Sequence, residues 1–159
     1  MSDNHHHQSF WTKYIWSTDH KVIGIQYAIT SLLWLLIGFG LMAIMRYQLA
    51  YPGTPVPFIG NFLGEGGILP AEMYNSLGAM HGTIMIFLGV VPLAFGAFGN
   101  YFVPLQIGAV DMAFPKLNAA SYWTYCLGSG IMVTGFFVPG GAANSGSVSY
   151  THLRAHETF

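Results

Sequence analysis

Three long apolar runs dominate the pattern of hydrophobic and polar positions along the chain. They cover about residues 22–45, 76–103 and 119–138, and the first contains no charged residue. At about 1.5 Å of rise per residue, the first run forms a helix roughly 36 Å long, which exceeds the ~30 Å hydrocarbon core of a bilayer. The pattern therefore predicts an all-α membrane protein with three transmembrane helices.

The amino-acid composition supports this class. Only 7% of the residues are charged, whereas 53% are hydrophobic. A soluble domain carries about 25% charged residues, so this chain lacks the polar side chains that would cover a water-facing surface. The low basic content also argues against a nucleic-acid partner. The predicted partner is membrane lipid.

The few basic residues predict an orientation. Lys13 and Lys21 precede the first run, and Lys116 lies between the second and the third. Among the basic residues that precede or separate the three runs, only Arg46 lies on the opposite side. Because basic residues concentrate on the cytoplasmic side, the N-terminus is predicted inside and the segment 46–75 outside.

A histidine interrupts the second apolar run. His81 lies about five residues into it, or roughly 8 Å below its outer end. A neutral imidazole in hydrocarbon needs partners for both ring nitrogens. One interpretation is a structural histidine that hydrogen-bonds a neighbouring helix. The other is an axial ligand of haem iron, for which Gly78, Ala79 and Gly82 leave room beside a flat macrocycle.

Arg46 follows the first run and also has two interpretations. Most arginines at helix ends extend towards the membrane interface. Alternatively, Arg46 is a fixed cation, at a depth comparable with that of His81, that hydrogen-bonds a cofactor substituent and raises its reduction potential.

A third group of polar residues surrounds the loop between the second and third runs. Asp111 lies in that loop, and Asn100 and Asn118 bracket it. A single carboxylate in a short loop is usually solvated or paired with a lysine such as Lys116. Three polar side chains at the inner mouth of an apolar bundle could instead hold a file of water molecules that feeds protons inward.

Four segments carry a resemblance to a known family. They are STDHKVIGIQY, MRYQLAYPG, YNSLGAMHGTIMIF and FGNYFVPLQIGAVDMAFPKLN. In this order, over about residues 12–146, they resemble subunit I of cytochrome c oxidase, the catalytic subunit of the haem–copper oxidases. The last segment is the most specific, because it sets Asn, Asp, Pro and Asn at fixed offsets.

The resemblance implies a fold and an activity. Subunit I is a twelve-helix bundle in this family, of which the chain would hold the first three helices. The parent enzyme reduces O2 to water with electrons from cytochrome c, takes protons from the cytoplasm and pumps others outward. It assembles with subunits II and III. The loop between residues 52 and 73 looks longer than in mitochondrial relatives, which suggests the inner (plasma) membrane of a bacterium.

The resemblance also implies site residues. His81 matches an axial ligand of the low-spin haem, haem a, and Arg46 matches the arginine that approaches the haem formyl group. Haem a3 and copper B belong to later helices, so the isolated chain is expected to lack oxidase activity. The residues that match the proton pathway are Asp111, as its entrance, Asn100, Asn118 and Tyr27.

Some features depart from the family pattern or leave alternatives open. Gln48 stands where many relatives have a glutamate in a calcium or sodium site, and an amide is a weaker ligand for a hard cation. The polar residues 147–159 continue none of the preceding pattern and are expected to be a non-native tail after a single unit, 1–146. The alternatives are a quinol oxidase of the same superfamily, with haem b, and a small membrane protein in which His81 is structural.

Overall fold

The computed structural model describes residues 11–63 and 65–137. Within these residues there are three long helices and no strand: α1 is His20–Ala50, α2 is Ala71–Ile107 and α3 is Pro115–Thr134. Short helical turns at Trp11–Ile15, Gly60–Leu63 and Glu65–Gly67 occupy the connections. The predicted all-α fold is confirmed. The tail 147–159 lies outside the described residues.

All three helices begin before the apolar runs that predict them. For α1 and α3, local sequence signals rather than hydropathy set the start. In α1 the carboxylate of Asp19 accepts a hydrogen bond from the backbone N–H of Lys21 at 2.9 Å and satisfies one free donor of the first turn. Helix α3 begins with Pro115, whose fixed φ suits the first helical position. Its last residue is Thr134, short of the predicted 138.

Two of the helices, α1 and α2, are long and apolar enough to cross a membrane. Helix α3 has 20 residues but carries several polar side chains. In the described part of the chain it does not meet the criterion of length and apolar composition that α1 and α2 meet. The side chains concerned include those of Asn118, Ser121, Thr124 and Ser129. The membrane crossing of α3 therefore stays a prediction.

The middle of α2 is wound as a π-helix over Ile84–Val90 and Pro92–Gly99. The N–H of Val91 donates to the carbonyl oxygen of Ile86, five residues earlier. Proline has no N–H and its ring clashes with the carbonyl one turn earlier, so the wider winding accommodates Pro92 without breaking the helix.

Helices α1 and α2 run antiparallel and approach closely at glycines. A Cβ atom added at Gly24 would lie 3.2 Å from the carbonyl oxygen of Ala97, and one added at Gly38 would lie 2.6 Å from Met85 Sδ. Small residues let membrane helices pack backbone to backbone. Helix α3 packs against this pair through Tyr122, which belongs to the same buried cluster as Ile23, Tyr27 and Ala97.

Candidate functional site

His81 is partly buried on α2 and is tied to α1 by one hydrogen bond. Its Nδ1 atom lies 2.8 Å from the carbonyl oxygen of Gly38. A carbonyl oxygen can only accept, so Nδ1 carries the proton and, in the neutral ring, Nε2 keeps a free lone pair. Histidines that bind metals characteristically donate their second nitrogen to a carbonyl or carboxylate in this way. The arrangement leaves Nε2 suited to bind iron.

Gly38 supplies the carbonyl oxygen of this hydrogen bond at a close approach of the two helices. A Cβ atom there would approach Sδ of Met85 to 2.6 Å and Cγ2 of Ile84 to 3.5 Å. A larger residue would therefore require the flexible Met85 side chain, or α2 itself, to shift. The packing at Gly38 is in this way coupled to the position of the carbonyl that His81 binds.

The space predicted beside His81 is present at one of the small residues. A Cβ atom at Gly82 would meet no heavy atom within 4 Å, whereas one at Gly78 would lie 3.3 Å from Cε of Met45. Ala79 is half-buried. The open side of the helix next to the histidine is therefore at Gly82.

Arg46 is exposed on α1 and lies towards the same end of the helix pair as His81. The preceding residue, Met45, packs against Gly78, three residues before the histidine in α2. Arg46 follows Gly38, whose carbonyl binds His81, by eight positions, so it lies about 12 Å, or roughly two turns, further along α1.

At the opposite end of α1, Asp111 pairs with a histidine rather than with Lys116. Nδ1 of His20 lies 3.0 Å from Oδ1 of Asp111, and the N–H of Met112 donates to the same oxygen at 2.7 Å. The Met112 N–H first, and then His20, lower the pKa of the Asp111 carboxyl below its usual value. The Asp111 side chain remains 44% exposed, so its carboxylate is accessible from solution.

Sequence reasoning missed His20 as a site residue. The residue is 2% exposed, and its Nε2 atom has no hydrogen-bond partner in the described structure. The available signal was weak: His20 and Asp111 were both predicted on the cytoplasmic side, but 91 positions separate them in the sequence.

Tyr27, Asn118 and Asn100, the other residues predicted for the proton pathway, lie near the same end of α1 as Asp111. The hydroxyl of Tyr27 is 3.1 Å from Oγ of Ser121, which donates to the backbone carbonyl of Asn118 at 2.7 Å. Asn118 is buried, and its Nδ2 atom has no partner among the described residues. Asn100 is also buried and donates to the carbonyl of Gly96, against which the Tyr27 ring packs. Ser121 is a further residue that the sequence did not single out.

Gln48, which stands in place of a glutamate in the family's calcium or sodium site, makes a protein contact. Its amide oxygen accepts a hydrogen bond from the N–H of Leu69 at 3.2 Å and so joins α1 to the loop between α1 and α2. Across residues 11–63 and 65–137, no three His, Cys, Asp or Glu side chains gather in a way that could hold a metal ion. In this region of the chain, a haem iron would therefore depend on single ligands such as His81.

Comparisons with known proteins agree with the sequence resemblance. A family model described as "Cytochrome C and Quinol oxidase polypeptide I" matches residues 22–159. The chain belongs to this family. It is 45% identical over 149 residues to cytochrome c oxidase subunit 1 of Synechocystis sp., covering 93% of this chain and 24% of that protein. It is 43% identical over 149 residues to a probable cytochrome c oxidase subunit 1-beta of Nocardia farcinica, covering 94% of this chain and 23% of that protein.

A third relative is an alternative cytochrome c oxidase subunit 1 of Bradyrhizobium diazoefficiens. The two sequences are 40% identical over 146 residues, which cover 92% of this chain and 23% of that protein. The chain thus spans about a quarter of the length of the relatives it matches. The family match extends through residues 147–159, whose non-native origin stays a prediction.

Proposed function

We propose that this chain forms part of the catalytic subunit of a cytochrome c oxidase, which reduces O2 to water with electrons from cytochrome c and couples the reaction to proton pumping. The observation that carries the proposal is the hydrogen bond from His81 to Gly38, in a helix apolar enough to span a membrane. It supplies an oriented, singly protonated imidazole of the kind that binds a metal. In this proposal the subunit assembles with subunits II and III in the inner membrane of a bacterium.

In the proposed haem site, Nε2 of His81 would bind the iron of haem a, which would supply one-electron transfer. The Gly38 carbonyl holds the proton on Nδ1, fixes the ring orientation and raises the basicity of Nε2. The open side of α2 at Gly82 accommodates the edge of a flat ring. Arg46 places a positive charge about two turns from Gly38 along α1, and a positive charge near the cofactor would favour its reduced form.

The opposite ligand of haem a, haem a3 and copper B are assigned to parts of the subunit beyond this chain. Within the chain, Asp111 collects protons at the inner surface. An aspartate is ionised near neutral pH even at its ordinary pKa, and the lowered pKa of Asp111 extends this ionisation to more acidic pH. His20 accompanies it at hydrogen-bond distance.

The unsatisfied donors at this end support a water-lined entrance. A buried amide without a partner is costly, and ordered water commonly satisfies such groups. Nδ2 of Asn118 is in this position, and the Tyr27–Ser121 pair lies beside it. We assign Asn118, Tyr27 and Asn100 to the first part of the proton pathway, above Asp111.

Quinol oxidation is the second candidate, because the description of the matching family includes quinol oxidases as well as cytochrome c oxidases. The test uses the full-length subunit assembled with its partners in lipid vesicles. We expect reduced cytochrome c to support oxygen consumption and outward proton movement. Oxygen consumption with a quinol but not with cytochrome c would reject the proposed donor, and no consumption with either would reject the oxidase assignment.

A further inference from the structure

The loop between α1 and α2, residues 51–70, displays two phenylalanines on its surface. The side chain of Phe58 is fully exposed, and that of Phe62 is 87% exposed. The sequence from Tyr51 to Leu63 contains no charged residue. Two phenylalanines this exposed in a segment without charged side chains indicate contact with something other than water.

The backbone at Phe58 is strained in a way that presents this side chain. Its φ is +67°, and Phe58 is the only non-glycine residue with a positive φ in the described structure. The N–H of Ile59 donates to the carbonyl of Pro57 at 2.9 Å, which closes a three-residue γ-turn with Phe58 at its centre. This turn is rare and strained, and glycine would relieve the strain. Strain of this kind persists where the surrounding structure enforces it, commonly at functional positions.

The body of the loop is held in place, so the exposure of the phenylalanines does not come from a loose segment. The N–H of Val56 donates to the carbonyl of Gly67, and the N–H of Gly60 donates to the carbonyl of Val56. The side chains of Val56 and Leu69 are buried. The Gln48 side chain binds the N–H of Leu69 and thereby joins the loop to α1.

The position of the loop indicates what its exposed phenylalanines contact. It connects the end of α1 to the start of α2, the two helices that are long and apolar enough to cross a membrane, so it lies at the boundary between lipid and water. The exposed apolar side chains of Leu49 and Tyr51 continue the surface of α1 into the loop. Tyrosine side chains such as that of Tyr51 concentrate at this depth of a bilayer, and interfacial segments insert phenylalanine and leucine side chains into the same boundary.

We propose that Phe58 and Phe62 insert into the lipid interface at this end of the helices and anchor the loop there. The proposal rests on the membrane-spanning helices and not on the oxidase activity. Its partner is the lipid bilayer itself, not a lipid with a specific headgroup, because the segment that carries the phenylalanines has no charged side chain to recognise one.

The test places a fluorescent amino acid at position 58 of the full-length, assembled protein in phosphatidylcholine vesicles. Position 54 is the matched control, because Thr54 is exposed in the same loop but is polar. Lipids brominated near the headgroup end of the acyl chain quench from the membrane, and iodide quenches from water. We expect the ratio of lipid to iodide quenching to be several-fold higher at 58 than at 54. Equal ratios at the two positions would overturn the proposal, as would protection of position 58 from both quenchers, which would show that a protein surface covers it.

Discussion

The Nδ1 atom of His81 lies 2.8 Å from the carbonyl oxygen of Gly38 on the neighbouring helix. This contact makes the two interpretations of the histidine, a structural residue and a metal ligand, compatible with each other. The Nδ1 side of the ring has a structural role between α1 and α2, and the Nε2 side retains the lone pair that a metal requires. The same contact makes the spacing of the two helices part of the proposed haem site.

The first prediction concerns Gly38 and compares it with Gly40. In Gly38→Ala the new methyl group would meet Sδ of Met85 at 2.6 Å, whereas in Gly40→Ala it would meet nothing within 4 Å. We expect Gly38→Ala to destabilise the protein by about 1–3 kcal/mol through overpacking, reduced where the flexible methionine can move. Gly40→Ala should be neutral or slightly stabilising, since alanine favours a helix more than glycine does.

Thermal unfolding in detergent measures this pair, and the low-spin haem spectrum of the assembled protein provides a second readout. The spectrum should shift in Gly38→Ala, because the His81 hydrogen bond lengthens, and stay unchanged in Gly40→Ala. Equal unfolding midpoints and unchanged spectra in both variants would show that Gly38 does not set the geometry of the histidine.

The second prediction concerns proton uptake at Asp111. In the assembled full-length protein, Asp111→Asn should slow steady-state oxygen consumption and leave the haem spectra intact. It removes the carboxylate proposed to collect protons, at the end of α1 opposite the His81–Gly38 contact. Asp19→Asn is the matched control. It removes a negative charge 3.7 Å from His20, and asparagine still caps the start of α1. Unchanged oxygen consumption and proton pumping in Asp111→Asn would rule out its role as the entrance.

The third prediction is a pH dependence of stability from the same carboxyl group. The pKa of Asp111 is lower in the folded protein than its value of about 4 in the unfolded chain. Its ionised form therefore stabilises the fold above pH ~4, and this contribution is lost as the pH falls through the lower folded value. We expect the stability that the wild type has over Asp111→Asn to shrink as the pH falls below about 4. Denaturant unfolding at a series of pH values measures it, and a difference that grows on acidification would contradict the assigned sign.

Haem binding by the chain of residues 1–159 alone gives the fourth prediction. A six-coordinate low-spin haem needs two strong axial ligands. His20 lies 18 positions before Gly38 on α1, about 27 Å along the helix, and cannot supply the second one. Haem titrated into the detergent-solubilised chain should bind weakly, in a five-coordinate or mixed form, and specific binding should be lost in His81→Ala. A stoichiometric low-spin complex that survives His81→Ala would identify another ligand.

Much of the helical fold could be predicted from the sequence, because long apolar runs have few alternatives to helices in a membrane. The boundaries were less accurate, since Asp19 and Pro115 start α1 and α3 outside the apolar runs. The π-helical winding around Pro92 was not predicted, because hydropathy carries no information about hydrogen-bond register.

The site residues were predicted individually, but their partners were not. Gly38 is 43 positions from His81, and His20 is 91 positions from Asp111. Such pairs depend on how the helices pack, and one sequence contains no signal for that packing. Ser121 has no unusual local pattern either, and it emerges only because Tyr27 of another helix reaches it.

The absorption spectrum of the assembled full-length protein with His81→Ala tests the central claim most directly. His20→Ala is the control, because it removes another buried histidine from α1 at the far end of the same helix pair. We expect the low-spin haem signal to disappear in His81→Ala and to persist in His20→Ala. A low-spin signal of normal intensity and position in His81→Ala would show that His81 is not an iron ligand and that its bond to Gly38 serves only to pack the helices.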